Sequence, residues 1–419
     1  MDKKEFICKA TGDKYYRINH ASGLTVYVYP QEDKTTCSAI FGTRYGSIDV
    51  SFRCPDGETV TVPNGIAHYL EHKLFENEDS EVFELFAQTG ADANAYTTYD
   101  KTCYLFNCTE HFEDNLRILL DFVQRPYFTA ETVEKERGII AQEIGMYDDN
   151  PDWRVYSEMM NALYSNHPVR INIAGTVDSI QKIDENLLYR CYNTFYVPSN
   201  MVLSVAGNVD ADSVMAIVDE MVTAKADAPA RSLPEEPETV VKPYVETHFD
   251  VSVPLFSIGF KEKPDKLSDK ELAATEIIME LLSDKPSRLF GKLLTGGLVN
   301  HSFSGDFMYW DGASLSSFSG ESTDPEKVRD IIIEEIEEMK KNGIPKEDFE
   351  WARRAVYGQA VSTLDSTDGM ANTLADCHFL GENAFSQVDA SALVTLEDAQ
   401  ERLNSMFDRS KCVLSVVKK

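Results

Sequence analysis

Two histidines and a glutamate lie close together in the segment GIAHYLEHKLFE, which begins at Gly65. If this segment is helical, His68 and His72 lie one turn apart on the same face, and Glu71 projects beside them. Imidazole nitrogens are ligands that zinc prefers, and a neighbouring carboxylate is suited to take a proton from water at a catalytic zinc site. The spacing therefore indicates a metal site with its own general base.

A catalytic zinc site needs a third protein ligand, and HYLEH does not contain one. The downstream segment EKERGIIAQEI offers Glu136 and Glu143, which are two helical turns apart and share a helix face with Ile140. Both carboxylates can therefore point inward from a helix that is anchored by apolar contacts. One of them would bind the metal, and the other could accept a hydrogen bond from a ligand imidazole.

The alternative is that HYLEH forms an ordinary solvent-exposed helix face. Ala67, Leu70, Leu74 and Phe75 flank the polar residues, which favours a partly buried face instead. The other histidines lack a comparable arrangement, and we expect structural roles for them. They are His20, His111, His167, His248, His301 and His378.

Composition limits the class of protein. A hydrophobic content of 43% is typical of a globular chain, and a formal net charge of −30 disfavours nucleic-acid and anionic-membrane partners. The sequence shows no apolar signal segment and no apolar run of membrane-spanning length, so we expect a cytoplasmic protein that does not bind a membrane. The 8 cysteines include no CxxC pair, which predicts reduced thiols.

Length and a change in composition predict two domains. Strands are indicated by alternating apolar residues in GLTVYVYPQ and by TCYLFNC, with helical patterns around them. Residues 226–243 are rich in proline and glutamate, which predicts a linker between a domain at residues 1–225 and a domain at residues 244–419.

The second half is predicted to repeat the first. FAQTGADAN aligns without a gap on KLLTGGLVN, and the order of predicted elements agrees around both segments. In this register Ala274, Ile277 and Ile278 stand where the first half has its two histidines and its glutamate. We therefore expect the second half to keep the fold and lack the metal.

These segments resemble those of the insulinase and pitrilysin-like zinc peptidases, family M16, which includes the mitochondrial processing peptidase. HYLEH is the inverted zinc motif H-x-x-E-H. The resemblance continues through GSIDVSF, ADANAYTTYDKTCYLF, EKERGIIAQEI and YVPSNMVLSVAGNVD. NGIAHYLEHKLFE and MYDDNPDWRVY are typical of a bacterial branch of short, two-domain members, often labelled YfmH-like.

The resemblance implies an α+β fold with two homologous domains, each a mainly antiparallel sheet packed with helices, which together form half of a clamshell. It also implies Zn²⁺ as cofactor, with His68, His72 and Glu143 as ligands and Glu71 as the base. Glu136 would then hold a ligand imidazole from behind.

The resemblance further implies that Asn94 and Ala95 bind substrate. They match an edge-strand segment of the family, where an extended peptide pairs with the protein backbone. For Asn94 the alternative is a turn residue that follows Gly90.

One departure from the family concerns the second domain. Members often carry an arginine and a tyrosine there, which contact the substrate and stabilise the tetrahedral intermediate. In SRLFGKLLTGGLVNHSF, Leu294 and Asn300 stand at those places, and Arg288 belongs to the opening SRLF. We therefore expect a heterodimer with a related subunit that supplies the pair, or a homodimer.

The predicted function is that of a zinc-dependent endopeptidase or processing-peptidase subunit that hydrolyses extended peptides in a closed chamber. The alternative is a non-catalytic scaffold or regulatory subunit, because this fold also serves structural roles. The complete HYLEH motif argues against a scaffold, which has no need for converging imidazoles and carboxylates.

Overall fold

The computed structural model describes residues 2–78, 81–263 and 266–419. The chain separates into two compact units, and each unit includes a segment from the other half of the chain. The first unit contains Met1–Ile144, Asn172–Leu233 and Val361–Phe385, and the second contains Gly145–Ile171, Pro234–Ala360 and Ser386–Lys419. The contiguous domains expected from the sequence stay a prediction.

Strands occur in both units. They are β1 Asp2–Ile7, β2 Lys14–Asn19, β3 Thr25–Pro30, β4 Cys37–Thr43, β5 Ser51–Arg53, β6 Thr59–Thr61, β7 Asp92–Thr97, β8 Thr102–Cys108, β9 Met201–Gly207, β10 Tyr244–His248, β11 Leu255–Glu262, β12 Ser304–Trp310, β13 Ala313–Glu321 and β14 Cys412–Lys418.

Helices lie between these strands along the chain. They are α1 Ile66–Leu74, α2 Val82–Thr89, α3 Phe112–Gln124, α4 Ala130–Asp148, α5 Pro151–Leu163, α6 Val177–Ile180, α7 Glu185–Phe195, α8 Ala211–Met221, α9 Asp269–Ser283, α10 Arg288–Thr295, α11 Pro325–Asn342, α12 Lys346–Leu364, α13 Thr367–Leu380, α14 Ser386–Leu393 and α15 Leu396–Ser405. Short 3₁₀ helices lie at Pro168–Arg170, Pro198–Asn200 and Arg409–Lys411.

The first unit is built on a seven-stranded sheet with the order β1-β2-β3-β9-β4-β8-β7. Its neighbouring strands are antiparallel except for β3 and β9, which are parallel. β5 and β6 form a separate hairpin. The order places β7 at one edge of the sheet, directly after α1 and α2 in the chain.

Both faces of the central strands are covered. The alternation in GLTVYVYPQ predicts a half-buried strand, but the first five residues of β3 are all buried. The Tyr29 hydroxyl donates to the Leu364 carbonyl oxygen at 3.1 Å, and the Ser204 hydroxyl donates to that of Ala371 at 2.7 Å. α13 therefore covers the second face, and the local pattern of β3 cannot indicate a helix more than three hundred residues away.

The second unit repeats the central part of the first. Its sheet has the order β10-β14-β11-β13-β12, which corresponds to β3-β9-β4-β8-β7. In both sheets the first pair is parallel and the following pairs are antiparallel. Ala274, Ile277 and Ile278 are buried on α9. The predicted α+β fold with two related domains is confirmed.

The segment predicted as a linker has extended, irregular structure and is anchored at two points. Arg231 Nε lies 2.5 Å from Asp49 Oδ1 in the first unit, and Glu236 Oε1 lies 2.6 Å from Lys261 Nζ in the second. The cysteines are free thiols, and all but Cys377 are buried. Within the described ranges, none of the helices combines the length and the apolar character needed to cross a membrane.

Candidate metal centre

α1 is held in place at its N-terminus by Gly65. This residue has a φ of +91°, and a Cβ atom here would lie 2.3 Å from the carbonyl oxygen of Ala174. Both the conformation and the close approach require glycine. On its other side α1 is joined to α4, because the Tyr69 hydroxyl donates to the carbonyl oxygen of Val133. The two helices that carry the candidate ligands are thus fixed against each other.

The side chains of His68, His72 and Glu143 converge. His68 Nε2 lies 3.5 Å from Glu143 Oε1, and His72 Nε2 lies 3.5 Å from Glu143 Oε2. One potential ligand atom from each residue lies within 4.8 Å of the others. Ligand atoms on a tetrahedral zinc ion with bonds of about 2.0 Å are about 3.3 Å apart. The three side chains therefore fit zinc with little movement.

His72 is oriented from behind by Glu136. Its Nδ1 lies 2.9 Å from Glu136 Oε1, which leaves Nε2 directed towards His68 and Glu143. Burial by itself lowers the pKa of His72, but the hydrogen bond to Glu136 and the nearby carboxylates outweigh burial, so that the pKa lies above its usual value. Burial likewise tends to raise the pKa of Glu136, but its bond to His72 and nearby cations bring it below the usual value.

His68 has a different environment. Its Nδ1 is buried and makes no hydrogen bond within the described part of the chain. Its ring lies against that of His72, with 4.6 Å between the ring centroids. The tautomer of His72 is thus set by a carboxylate, whereas His68 is positioned through Glu143 and ring packing.

Glu71 lies on the same helix and is 9% exposed. The Thr97 hydroxyl of β7 donates to Glu71 Oε2 at 2.5 Å, and Thr102 Oγ1 lies 3.3 Å from the same hydroxyl. These contacts fix the rotamer of Glu71 next to the two histidines. A carboxylate in this position can exchange a proton with water at the site.

Asn94 and Ala95 lie on the edge strand β7, so Asn94 is not in the turn that follows Gly90. The backbone N–H of Ala95 donates to Asn94 Oδ1 at 2.9 Å. Together with Glu71 and His72, both residues line a cavity of about 310 Å³. The structure therefore brings the predicted substrate segment beside the predicted metal ligands.

Family models cover most of this region. A model described as Insulinase (Peptidase family M16) matches residues 61–177, and one described as Peptidase M16 inactive domain matches residues 182–356. An uncharacterized zinc protease of Bacillus subtilis, YmfH, is 43% identical over 399 residues, which cover 92% of each chain. The chain belongs to the insulinase family, peptidase family M16. The resemblance seen in the sequence pointed to a branch labelled YfmH-like, whereas this relative is labelled YmfH.

Solved structures agree with this family. An M16-like protein from Alicyclobacillus acidocaldarius has 34% identity and a TM-score of 0.93, and the match covers 100% of this chain and 99% of that chain. The periplasmic protease PqqL from Escherichia coli has 17% identity and a TM-score of 0.76, and the match covers 96% of this chain but 47% of PqqL. The M16 fold of this chain thus corresponds to about half of the PqqL chain.

Sequence reasoning missed several residues around the candidate metal centre. Thr97 was not singled out, because no spacing in the sequence pairs a hydroxyl of the edge strand with Glu71 on α1. Lys73 is fully buried and paired with Glu76, and Glu76 Oε1 lies 3.7 Å from Lys135 Nζ on α4. Nothing in the sequence around Lys73 indicates that this lysine is buried.

The residues at the expected Arg and Tyr positions lie in the second unit. Leu294 is part of α10 and packs against the second core, and the Asn300 side-chain amide donates to Glu321 Oε2 at 2.5 Å. Arg288 Nε lies 2.6 Å from Asp348 Oδ2. Each of these side chains thus has a local structural contact.

Proposed function

We propose that this chain is a zinc-dependent endopeptidase, or the metal-carrying subunit of one, that hydrolyses extended peptides. The observation that carries the proposal is the convergence of His68, His72 and Glu143 within 4.8 Å of one another, next to the buried Glu71. The zinc-protease name of the relative that is 43% identical supports the same reaction class.

The proposed mechanism assigns a separate task to each side chain. His68, His72 and Glu143 would hold a zinc ion, which when bound would act as a Lewis acid towards the scissile carbonyl and lower the pKa of a bound water. Glu71 takes the proton from the attacking water and returns it to the leaving amine. Thr97 holds Glu71 Oε2 and so keeps the carboxylate in one rotamer during the transfer.

The proposed substrate position is the edge strand β7. An extended peptide that pairs with Asn94 and Ala95 would take over the Ala95 N–H, which is now bonded to the Asn94 side chain. Peptide substrates with single backbone N-methyl groups test this pairing. Methylation at positions that bond to β7 should raise KM about fivefold for each lost hydrogen bond, while methylation at the alternate positions should have little effect. A uniform effect at all positions would contradict strand pairing.

The partner of the proposed peptidase is a related M16 subunit that carries the Arg/Tyr pair, or a second copy of the chain. The correspondence of this chain to about half of PqqL supports such a pairing. Activity should then increase strongly when a related subunit is co-expressed. Equal activity of the chain alone and with such subunits would exclude the need for a related subunit and leave a homodimer or a self-sufficient chain.

Metal dependence is the direct test of the proposed chemistry. The purified chain, with or without a related subunit, is expected to hold one zinc ion and to cleave quenched fluorescent peptides. Chelation should stop cleavage, and added zinc should restore it without a change in the circular dichroism spectrum. If stoichiometric zinc supports no cleavage in any combination, the chain is a scaffold or regulatory subunit instead.

A further inference from the structure

The second unit contains an apolar cavity of about 420 Å³ that the proposed chemistry does not use. It lies between the end of α9, α10, the end of α11 and the start of α12. Its floor consists of the buried side chains Leu281, Leu289, Met339 and Ile344, and the partly exposed indole of Trp351 lies at one side. This size and lining are typical of ligand pockets in proteins.

A second cavity of about 470 Å³ adjoins the first, since Gly343 and Ile344 line both. Leu396 on α15 also lines the second cavity. We call this continuous surface the α11–α12 groove. A groove with an apolar floor at one end and mainly polar side chains at the other fits a peptide segment with both kinds of side chain better than a compact small molecule.

Three carboxylates along the groove are unpaired. Glu338 lies on α11, and Glu397 and Glu401 lie on α15; all three are exposed. None of them forms an ion pair with any residue in ranges 2–78, 81–263 or 266–419. The groove therefore combines an apolar floor with three rim carboxylates that lack a counter-charge.

The other rim carboxylates already have partners. Glu335 Oε2 lies 3.5 Å from Lys292 Nζ, and Asp348 Oδ2 lies 2.6 Å from Arg288 Nε. Among the described residues that line the groove, Arg288 is the one cation, and it forms an ion pair with Asp348. The lining residues thus carry a net negative charge, which favours a cationic ligand.

We propose that the α11–α12 groove binds a peptide segment in which bulky apolar side chains are flanked by lysine or arginine. Apolar side chains would fill the floor beside Trp351, and the cations would reach Glu338, Glu397 and Glu401. The groove is built from second-unit residues alone, so this site shares no residue with the metal centre and needs no metal. It would retain basic peptide segments independently of hydrolysis.

Intrinsic fluorescence of Trp351 tests this proposal in the full-length, chelator-treated chain. The chain has 3 tryptophans, so replacement of Trp153 and Trp310 by phenylalanine leaves Trp351 as the single reporter. A short peptide of alternating leucine and lysine should shift its emission with saturation. Peptides with glutamate in place of lysine, or glycine in place of leucine, should leave the Trp351 emission unchanged.

Charge variants provide the matched control. The combined replacement of Glu338, Glu397 and Glu401 by glutamine should weaken binding about tenfold, because each exposed charge contributes modestly. Added salt should weaken wild-type binding for the same reason. The control replaces exposed glutamates that do not line the groove, Glu113, Glu334 and Glu347, and should bind as wild type.

Several outcomes would overturn the proposal. They are the absence of a Trp351 response, equal binding of the glutamate peptide, and equal weakening by the control variant. A shift of the Trp351 emission that increases with protein concentration in the absence of peptide would indicate that a second copy of this chain occupies the groove. If the tryptophan variants do not fold, a leucine–lysine peptide with a photoreactive phenylalanine should crosslink to the groove of the wild-type chain. Crosslinks elsewhere would refute the site.

Discussion

Replacement of Glu136 by alanine removes the acceptor that orients His72 while leaving all three candidate ligands in place. The distance of 2.9 Å from Glu136 Oε1 to His72 Nδ1 indicates a full hydrogen bond. Loss of such a partner behind a ligand imidazole lowers metal affinity by about 10- to 100-fold, or about 1.4–2.7 kcal/mol. We expect Glu136→Ala to fall in this range. Glu136→Gln keeps an oxygen acceptor and loses only the charge, so its zinc affinity should lie between those of alanine and wild type.

The assay is competition for zinc with a chromophoric chelator at pH 7.5, with circular dichroism as the check on folding. Glu134→Ala is the matched control, because Glu134 lies on the same helix, is 69% exposed and pairs with Arg137. Its zinc affinity should equal that of the wild type. The reasoning is refuted if Glu136→Ala changes the affinity by less than about twofold, or if the control loses as much.

Three further predictions concern stability, measured by urea unfolding of the metal-free chain. Gly65→Ala should cost about 2 kcal/mol or more, because φ is +91° and the new Cβ would lie 2.3 Å from the Ala174 oxygen; an unchanged midpoint would contradict this. Lys261→Met leaves the carboxylate of Glu236, which is 6% exposed, without its cation and should lower the free energy of unfolding by about 3 kcal/mol. The double variant with Glu236→Gln should regain much of this free energy. Burial lowers the pKa of His378 from 6.5 to about 4. Between these values the unfolded chain binds a proton that the folded chain does not, so the free energy of unfolding is highest above pH 6.5 and decreases as the pH falls to 4. His378→Gln should remove about 3 kcal/mol of that loss, and an identical pH profile would exclude this role.

Much of the fold could be predicted from local patterns. Leu116, Leu119, Leu120 and Val123 have helical spacing and predict α3, and Gly90 predicts the end of α2; both helices are observed. The short similarity between the two halves corresponds to five strands of equal order. The coverage of β3 by α13 could not be predicted, since it depends on a pairing between distant parts of the chain. The alternation of β3 arises because one face carries aliphatic residues and the other carries Tyr27 and Tyr29, which are also buried.

The candidate site was predictable to a similar degree. Spacing alone identified His68, His72 and a carboxylate from α4, because residues one or two helical turns apart share a face. The choice of Glu143 over Glu136 as ligand came from family resemblance, and the observed geometry has Glu136 behind His72. Thr97 could not be found, because a hydrogen bond between a strand and a helix has no signature in sequence spacing.

Hydrolysis by the zinc-loaded Glu71→Gln variant tests the central claim most directly. Glutamine keeps the size of the side chain and cannot take up the proton, so zinc content should equal that of the wild type while kcat falls by about 10²- to 10⁴-fold. Glu84→Gln, an exposed change on α2, should leave both zinc content and kcat unaltered. Wild-type hydrolysis by Glu71→Gln with zinc bound would contradict the assignment of Glu71 as the base.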